Sequence, residues 1–203
     1  MEKYKLTKTT KTENGITFYQ IEALKDFGSI SKGDKGGWIE KEGNLEQDGD
    51  AWVSGDARVF GDARVFGDAR VSGDALVYGN AWVSGDALVY GNARVSGDAW
   101  VFGNAWVSGD ALVYGNARVS GDARVFGNAW VSGDARVCKQ KLIGGYFYHT
   151  KQKEEKIEIV DTYDDGYETL CREPKLEEEK PQGKKVKIRL SDNKIVEGEI
   201  IED

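Results

Sequence analysis

Gly73-Asp74-Ala75-Leu76-Val77-Tyr78-Gly79-Asn80-Ala81-Trp82-Val83-Ser84 contains two copies of a six-residue unit that runs from Gly49 to Cys138 without an insertion. The span is 90 residues, or fifteen units of Gly-(Asp/Asn)-Ala-x-Val-(Ser/Phe/Tyr/Cys). Gly, Ala and Val hold their places in every unit, and x is only Trp, Arg or Leu. Ala and Val are two apart, so in an extended chain they point to one face and x points to the other. Gly followed by Asp or Asn supplies the corner, because these residues tolerate positive φ most easily. Each unit is therefore one short strand and one corner, with Ala and Val inside. The regularly spaced Gly and the period exclude a helix.

A second periodicity sets the number of units per coil. From Ser72 onward, Ser-Gly-Asp alternates with (Tyr/Phe)-Gly-Asn. Two units per coil would stack Asp on Asp and aromatic on aromatic. Three units give the ladder Asp74, Asn92, Asp110, Asn128, with Ser72, Tyr90, Ser108 and Phe126 beside it. Stacked strands lie about 4.8 Å apart, so a continuous column of carboxylates would repel, whereas alternation with Asn dilutes that cost. Fifteen units also divide into whole coils of three but not of two. The expected fold is an all-β parallel β-helix of five three-sided coils, about 24 Å long.

These residues resemble the hexapeptide repeat of left-handed parallel β-helix proteins, in which an aliphatic residue is followed four positions later by a small one. The resemblance covers the 90 repeat residues and implies left-handedness, which the period does not. The Gly-Asp-Ala-Arg-Val pattern is also similar to uncharacterised repeat arrays of bacteria and their phages. The segments Ile21-Glu22-Ala23-Leu24-Lys25-Asp26-Phe27-Gly28 and Gly36-Gly37-Trp38-Ile39-Glu40 are similar to the amino-terminal part of such phage proteins. That likeness implies an accessory protein directed at a host factor.

The expected organisation is a cap over 1–48, the β-helix over 49–138, a β-rich segment over 139–172, a charged linker over 173–185 and a hairpin tail over 186–203. In the cap, Ile16 to Ile21 reads as a strand after an Asn14-Gly15 turn. Ile39 and Leu45 lie twelve and six residues before Ala51, as if a degenerate coil began there. An open solenoid end exposes unpaired strand groups, which atypical terminal segments cover. Beyond Cys138, Tyr146 to His149 and Lys156 to Val160 read as strands. Val186, Ile188 and Leu190 alternate with polar residues, and Ile195-Val196 returns after a Ser191-Asp192-Asn193 turn.

Composition narrows the functions. The 28 basic and 35 acidic residues give a net charge of -7, so no global field draws nucleic acid or anionic lipid. No run approaches membrane-spanning length and the start leads into no apolar signal region, which predicts a cytoplasmic protein, in the host cytoplasm if phage-encoded. Cys138 and Cys171 cannot form a disulfide framework and are expected as free thiols in a reducing compartment. The one His, His149, excludes a three-His metal site within a subunit. No cofactor or metal is expected.

Two classes of function compete. Hexapeptide β-helices include acyltransferases, and the resemblance implies that such enzymes carry a His base and a projecting loop. No unit of the repeat contains His or an inserted residue. Catalysis is therefore not expected, and acyl transfer is the alternative. The other class is a binding scaffold built on the outward positions. With 18-residue stacking, one outer column reads Trp52, Arg70, Leu88, Trp106, Arg124 and a second reads Arg58, Leu76, Arg94, Leu112, Trp130. The third reads Arg64, Trp82, Trp100, Arg118, Arg136 and is the candidate binding face, with Phe66 and Phe102 beside it. Trp and Arg are the side chains most enriched at interface hot spots. The competing interpretation is that these side chains only pack along the ladder. A homo-oligomer and a host protein are the expected partners. Nucleotide capture and DNA mimicry are weaker alternatives, since no phosphate loop is present and five corners are Asn.

Overall fold

Three columns of short strands carry the repeat, all of two residues except Trp130–Gly133, each paired in parallel with the one 18 residues away. Val89 pairs with both Val71 and Val107, Val95 with Val77 and Val113, and Val101 with Val83 and Val119. The fold, seen in a computed structural model that describes residues 2–138, 141–149, 185–189 and 195–199, is an all-β parallel β-solenoid. We name its three sides the Trp52, Arg58 and Arg64 faces after their first repeat strands. Every Ala and Val of the fifteen units is at most 1% exposed, forming a continuous apolar column. The cause is the strand period: alternate residues face inward, and only Ala and Val occupy those positions. Among the described residues no helix is long and apolar enough to cross a membrane.

The Asp/Asn alternation stacks as expected for 18-residue coils. The Nδ2 of Asn80 donates to Asp98 at 2.8 Å, that of Asn92 to Asp110 at 2.9 Å, and those of Asn104 and Asn116 to Asp122 and Asp134 at 3.1 and 3.0 Å. Each Asn thus converts a carboxylate–carboxylate neighbour into a hydrogen bond. On an exposed corner each such bond contributes about 0.5–1.5 kcal/mol at most.

Sequences outside the repeat extend the stack at both ends, to about six turns. At the start, β1 (Tyr4–Glu13) and β2 (Ile16–Ala23) form an antiparallel hairpin. Its turn is Asn14-Gly15, with φ of 50° and 82°, the two positive values that a two-residue hairpin turn requires. Next to it, β3 (Lys35–Ile39) pairs antiparallel with β2 and parallel with Arg58–Val59. Ile39 stacks on Val59 and Leu45 on Val65, both buried. A degenerate coil therefore does precede the repeat. Its register differs from the expectation: Ile39 and Leu45 join the Val columns at a spacing of 20 residues, not the Ala columns. The corner between Leu45 and Ala51 is two residues longer than a repeat corner.

That enlarged corner is filled by Lys3, which is fully buried. Its Nζ donates to the carbonyls of Ala51, Asp48 and Gly49 at 2.9, 3.2 and 3.3 Å. Beside it, the Tyr4 hydroxyl is shared between the carbonyls of Leu45 at 2.7 Å and Glu42 at 2.9 Å. Buried Asn44 donates to the carbonyls of Gly61 and Ala63. These three side chains occupy carbonyls that an uncapped first coil would leave unpaired.

Burial pushes the Lys3 ammonium down to about 8, and burial pushes the Tyr4 phenol above its ordinary range. The signs give a pH window. Between about 8 and 10.5 the unfolded chain holds the Lys3 proton more tightly than the folded one, so stability rises with pH. Above about 10 the unfolded Tyr4 ionises first, and stability is lost. Thermal unfolding followed across this range should show a maximum near pH 10, and Lys3→Met should shrink the rise to the part left by Lys11, whose ammonium burial also lowers, while keeping the fall. An unchanged rise in Lys3→Met would refute the assignment to Lys3.

At the other end, Lys141–Leu142 stacks on Arg124–Val125, and Tyr146–His149 pairs with Trp130–Gly133. The expected strand over Tyr146 to His149 is present. The expected strand over Lys156 to Val160 lies outside the described residues. Cys138 is disulfide-bonded, which corrects its reading as a free thiol. One bridge needs no disulfide framework, so a low cysteine count does not by itself imply a free thiol. A separate unit over residues 172–203 contains the expected hairpin, Lys185–Arg189 against Ile195–Glu199 in antiparallel register.

Candidate binding face

Arg64, Trp82, Trp100, Arg118 and Arg136 are consecutive partners in one parallel sheet, so 18-residue stacking brings all five into a single column. Parallel pairing fixes equivalent residues side by side, which aligns the two indoles. Their ring centroids are 4.9 Å apart with an interplanar angle of 5°. The Arg118 guanidinium lies over the Trp100 ring at 5.0 Å, continuing the stack. Phe66 meets Trp82 edge-on at 5.8 Å, and Phe102 meets Trp100 edge-on at 6.5 Å. Trp100 remains 37% exposed, Trp82 is half-buried, and Arg64, Arg118 and Arg136 are exposed.

Packing and exposure coexist here. Both faces of Trp100 are used along the ladder, by Trp82 and by the Arg118 guanidinium, while Trp82 uses one face on Trp100 and meets Phe66 in a T-shaped contact. Trp100, with a neighbour on each ring face, is left to present its edge, and the exposed Arg64, Arg118 and Arg136 present guanidinium groups. Neither group has a lone pair to offer, since indole and guanidinium are donors only. Among the described residues no carboxylate pairs with Arg64 or Arg118. On both sides the face is bounded by corner rows, one bearing Asp62, Asp98 and Asp134, the other Asp68, Asp86 and Asp122. The surface is thus a narrow cationic and aromatic strip between two acidic margins.

The other two faces are used differently. Trp52 heads an outward column yet is only 3% exposed, because Phe27 and Tyr4 of the cap meet it edge-on at 5.4 and 6.4 Å. Further along that face Trp106 is 38% exposed beneath the Arg124 guanidinium, 4.8 Å from the ring centroid. This second cation–π pair was legible as an 18-residue step, but one Trp beside one Arg gave no reason to prefer it. On the Arg58 face, Arg58 is paired with Glu13 of β1 at 2.9 Å. Phe60 stacks on Tyr78 at 5.0 Å and takes Phe18 of the cap on its edge. A shallow groove of about 600 Å³ runs where Arg94, Leu112 and Trp130 border Asn92, Asp110 and Asn128. The cap therefore closes the start of two faces. Among the described residues neither the cap strands nor an internal ion pair covers the centre of the Arg64 column.

No curated protein matches this chain at a significant level. A family model described as YdcK Beta solenoid repeat matches residues 69–85, 81–97, 87–103, 105–121, 111–125 and 117–133. All six matches fall inside the repeat, and most span 17 residues, just under one 18-residue coil. By sequence as well as by strand pairing, the repeat is similar to a β-solenoid repeat.

Proposed function

We propose that the chain is a non-catalytic binding scaffold that engages protein through its Arg64 face. In this reading it is a phage or prophage accessory protein that self-associates or holds, and thereby inhibits, a host factor. The observation that carries the reading is the Trp82–Trp100 stack, rigid and partly exposed, with cations at both ends of its column. A side chain already fixed by stacking loses little freedom on binding, which is the main cost an interface must offset. One such face corresponds to an ordinary interface of about 800 Å² per partner.

Acyl transfer finds less support, because the repeat carries no inserted loop to wall a pocket and His149 lies after it on a terminal strand. Nucleotide capture is disfavoured by ring faces that are already occupied. DNA mimicry is disfavoured by Asn–Asp hydrogen bonds that dilute the corner charge. The test is Trp82→Ala combined with Trp100→Ala, with mass measurement of the purified protein and affinity capture from a bacterial lysate. We expect loss of the higher subunit number or of a captured protein, at least tenfold, as for hot-spot aromatics worth about 2 kcal/mol each. Retention of both would reduce the face to packing.

A further inference from the structure

We infer that the Arg64 face accepts an extended acidic peptide segment, with two carboxylates four residues apart and one residue between them over the Trp pair. The inference rests on the reading of this face as the binding face and assigns the chemistry of its occupant. The exposed guanidinium groups of the column are donors and carry positive charge, so the partner that complements them brings acceptors and negative charge. Neither Arg64 nor Arg118 forms an ion pair among the described residues; Asp62, whose carboxylate is paired with Lys41, is close enough to Arg64 to feel its charge.

Spacing selects the partner's form. Arg64 and Arg118 are separated by three parallel steps, through Trp82 and Trp100. At about 4.8 Å per step this is roughly 14 Å. Four residues of extended chain cover about 13–14 Å, and residues i, i+2 and i+4 point to the same side. A carboxylate at i therefore meets one guanidinium, a carboxylate at i+4 meets the other, and i+2 lies over the indole edges. Arg118 can serve both neighbours at once, since its plane stacks on Trp100 while its N–H groups remain at the rim.

Width selects against nucleic acid. The corner rows flank a face only two outward side-chain columns wide, Arg64–Arg136 and Phe66–Ser120, so a phosphate backbone and its second row of charges would meet Asp68 or Asp98. Bases would also find both faces of Trp100 taken, by Trp82 and by Arg118. Two copies meeting through this face about a twofold axis centred on the Trp pair would place Arg64 of one against Arg118 of the other.

The experiment uses the full chain and fluorescein-labelled peptides read by fluorescence anisotropy at low and at physiological salt. One peptide contains Glu-Ser-Tyr-Ser-Glu. A control of identical composition contains Glu-Ser-Glu-Ser-Tyr, which halves the carboxylate spacing. Arg64→Glu with Arg118→Glu is the test variant, and Arg64→Gln with Arg118→Gln serves if charge reversal perturbs folding. We expect the first peptide to bind at least about tenfold tighter than the control and to lose at least about tenfold in either double variant, with affinity falling as salt rises. Equal affinity for the two peptides, equal affinity in the variants, or no binding overturns the inference. Tighter binding of an oligothymidylate of equal charge overturns it in favour of a nucleic acid. A wild-type dimer that becomes monomeric in the variants overturns it in favour of a second copy, while leaving the face as the binding face. Failure of the broader reading shows separately, as no response of subunit number or captured protein to the Trp82 and Trp100 substitutions.

Discussion

Val95→Asp is expected to unfold the solenoid. Val95 is fully buried and stacked between Val77 and Val113 near the middle of the repeat. The substitution removes an apolar side chain worth about 1.5–3 kcal/mol of burial and puts a carboxylate among Ala and Val, where no cation can reach it. The combined cost exceeds about 4–5 kcal/mol, a large part of the stability of an ordinary domain. In a solenoid each coil is supported only by its neighbours, so a central defect also severs the two halves from one another. The control is Arg94→Asp, which puts the same charge one residue away on the exposed side of the same strand. Circular dichroism and urea unfolding should show Arg94→Asp folded, within about 0.5 kcal/mol of wild type. A cooperatively folding Val95→Asp with an unchanged midpoint would refute the inward assignment.

Gly85→Ala carries the second-largest effect, and comparison with Gly15→Ala separates its two causes. Gly85 has φ of 66° and Gly15 has φ of 82°, so both substitutions place an L residue in the left-handed region. That part costs about 1–2 kcal/mol. Around Gly15 a Cβ would meet nothing within 4 Å, whereas at Gly85 it would lie 2.9 Å from the backbone N and 3.2 Å from the carbonyl O of Gly103, one coil on. Backbone cannot rotate out of the way as a flexible side chain can, so the coils must separate locally. We expect Gly85→Ala to cost about 3 kcal/mol or more, and Gly15→Ala only the conformational part. Equal losses in the two variants would show that close stacking of the corners contributes nothing.

The repeat made its own architecture legible because it is a local code repeated many times. Ala and Val at a spacing of two define an inside, Gly with Asp or Asn defines a corner, and alternation of Asp with Asn singles out the three-unit coil. The Asn80–Asp98 and Asn92–Asp110 bonds rest on the same argument from charge repulsion that predicted the stacking. The Arg64, Trp82, Trp100, Arg118 and Arg136 column follows from that stacking without further information. The ends were less legible. Nothing in the pattern marks Tyr4 to Glu13 as a strand, because Lys and Thr there form no alternating apolar stripe. The corner before Ala51 is two residues longer than its successors, so counting back in sixes places Ile39 and Leu45 in the wrong column.

By itself the sequence determined the all-β solenoid, the inward columns, the 18-residue coil and the membership of each face. These depend on interactions between residues whose separation is fixed by the period. Tertiary structure alone decided that Trp52 is covered while Trp100 is not, since Phe27 reaches Trp52 from a segment with no periodic relation to it. It also decided that Lys3 is buried, through three carbonyls more than forty residues away. Ring orientation belongs to the same class: a column of letters says that Trp82 and Trp100 are neighbours, but only packing fixes them as parallel planes 4.9 Å apart. That orientation puts Trp100 between Trp82 and the Arg118 guanidinium, which leaves neither of its ring faces free as a stacking platform.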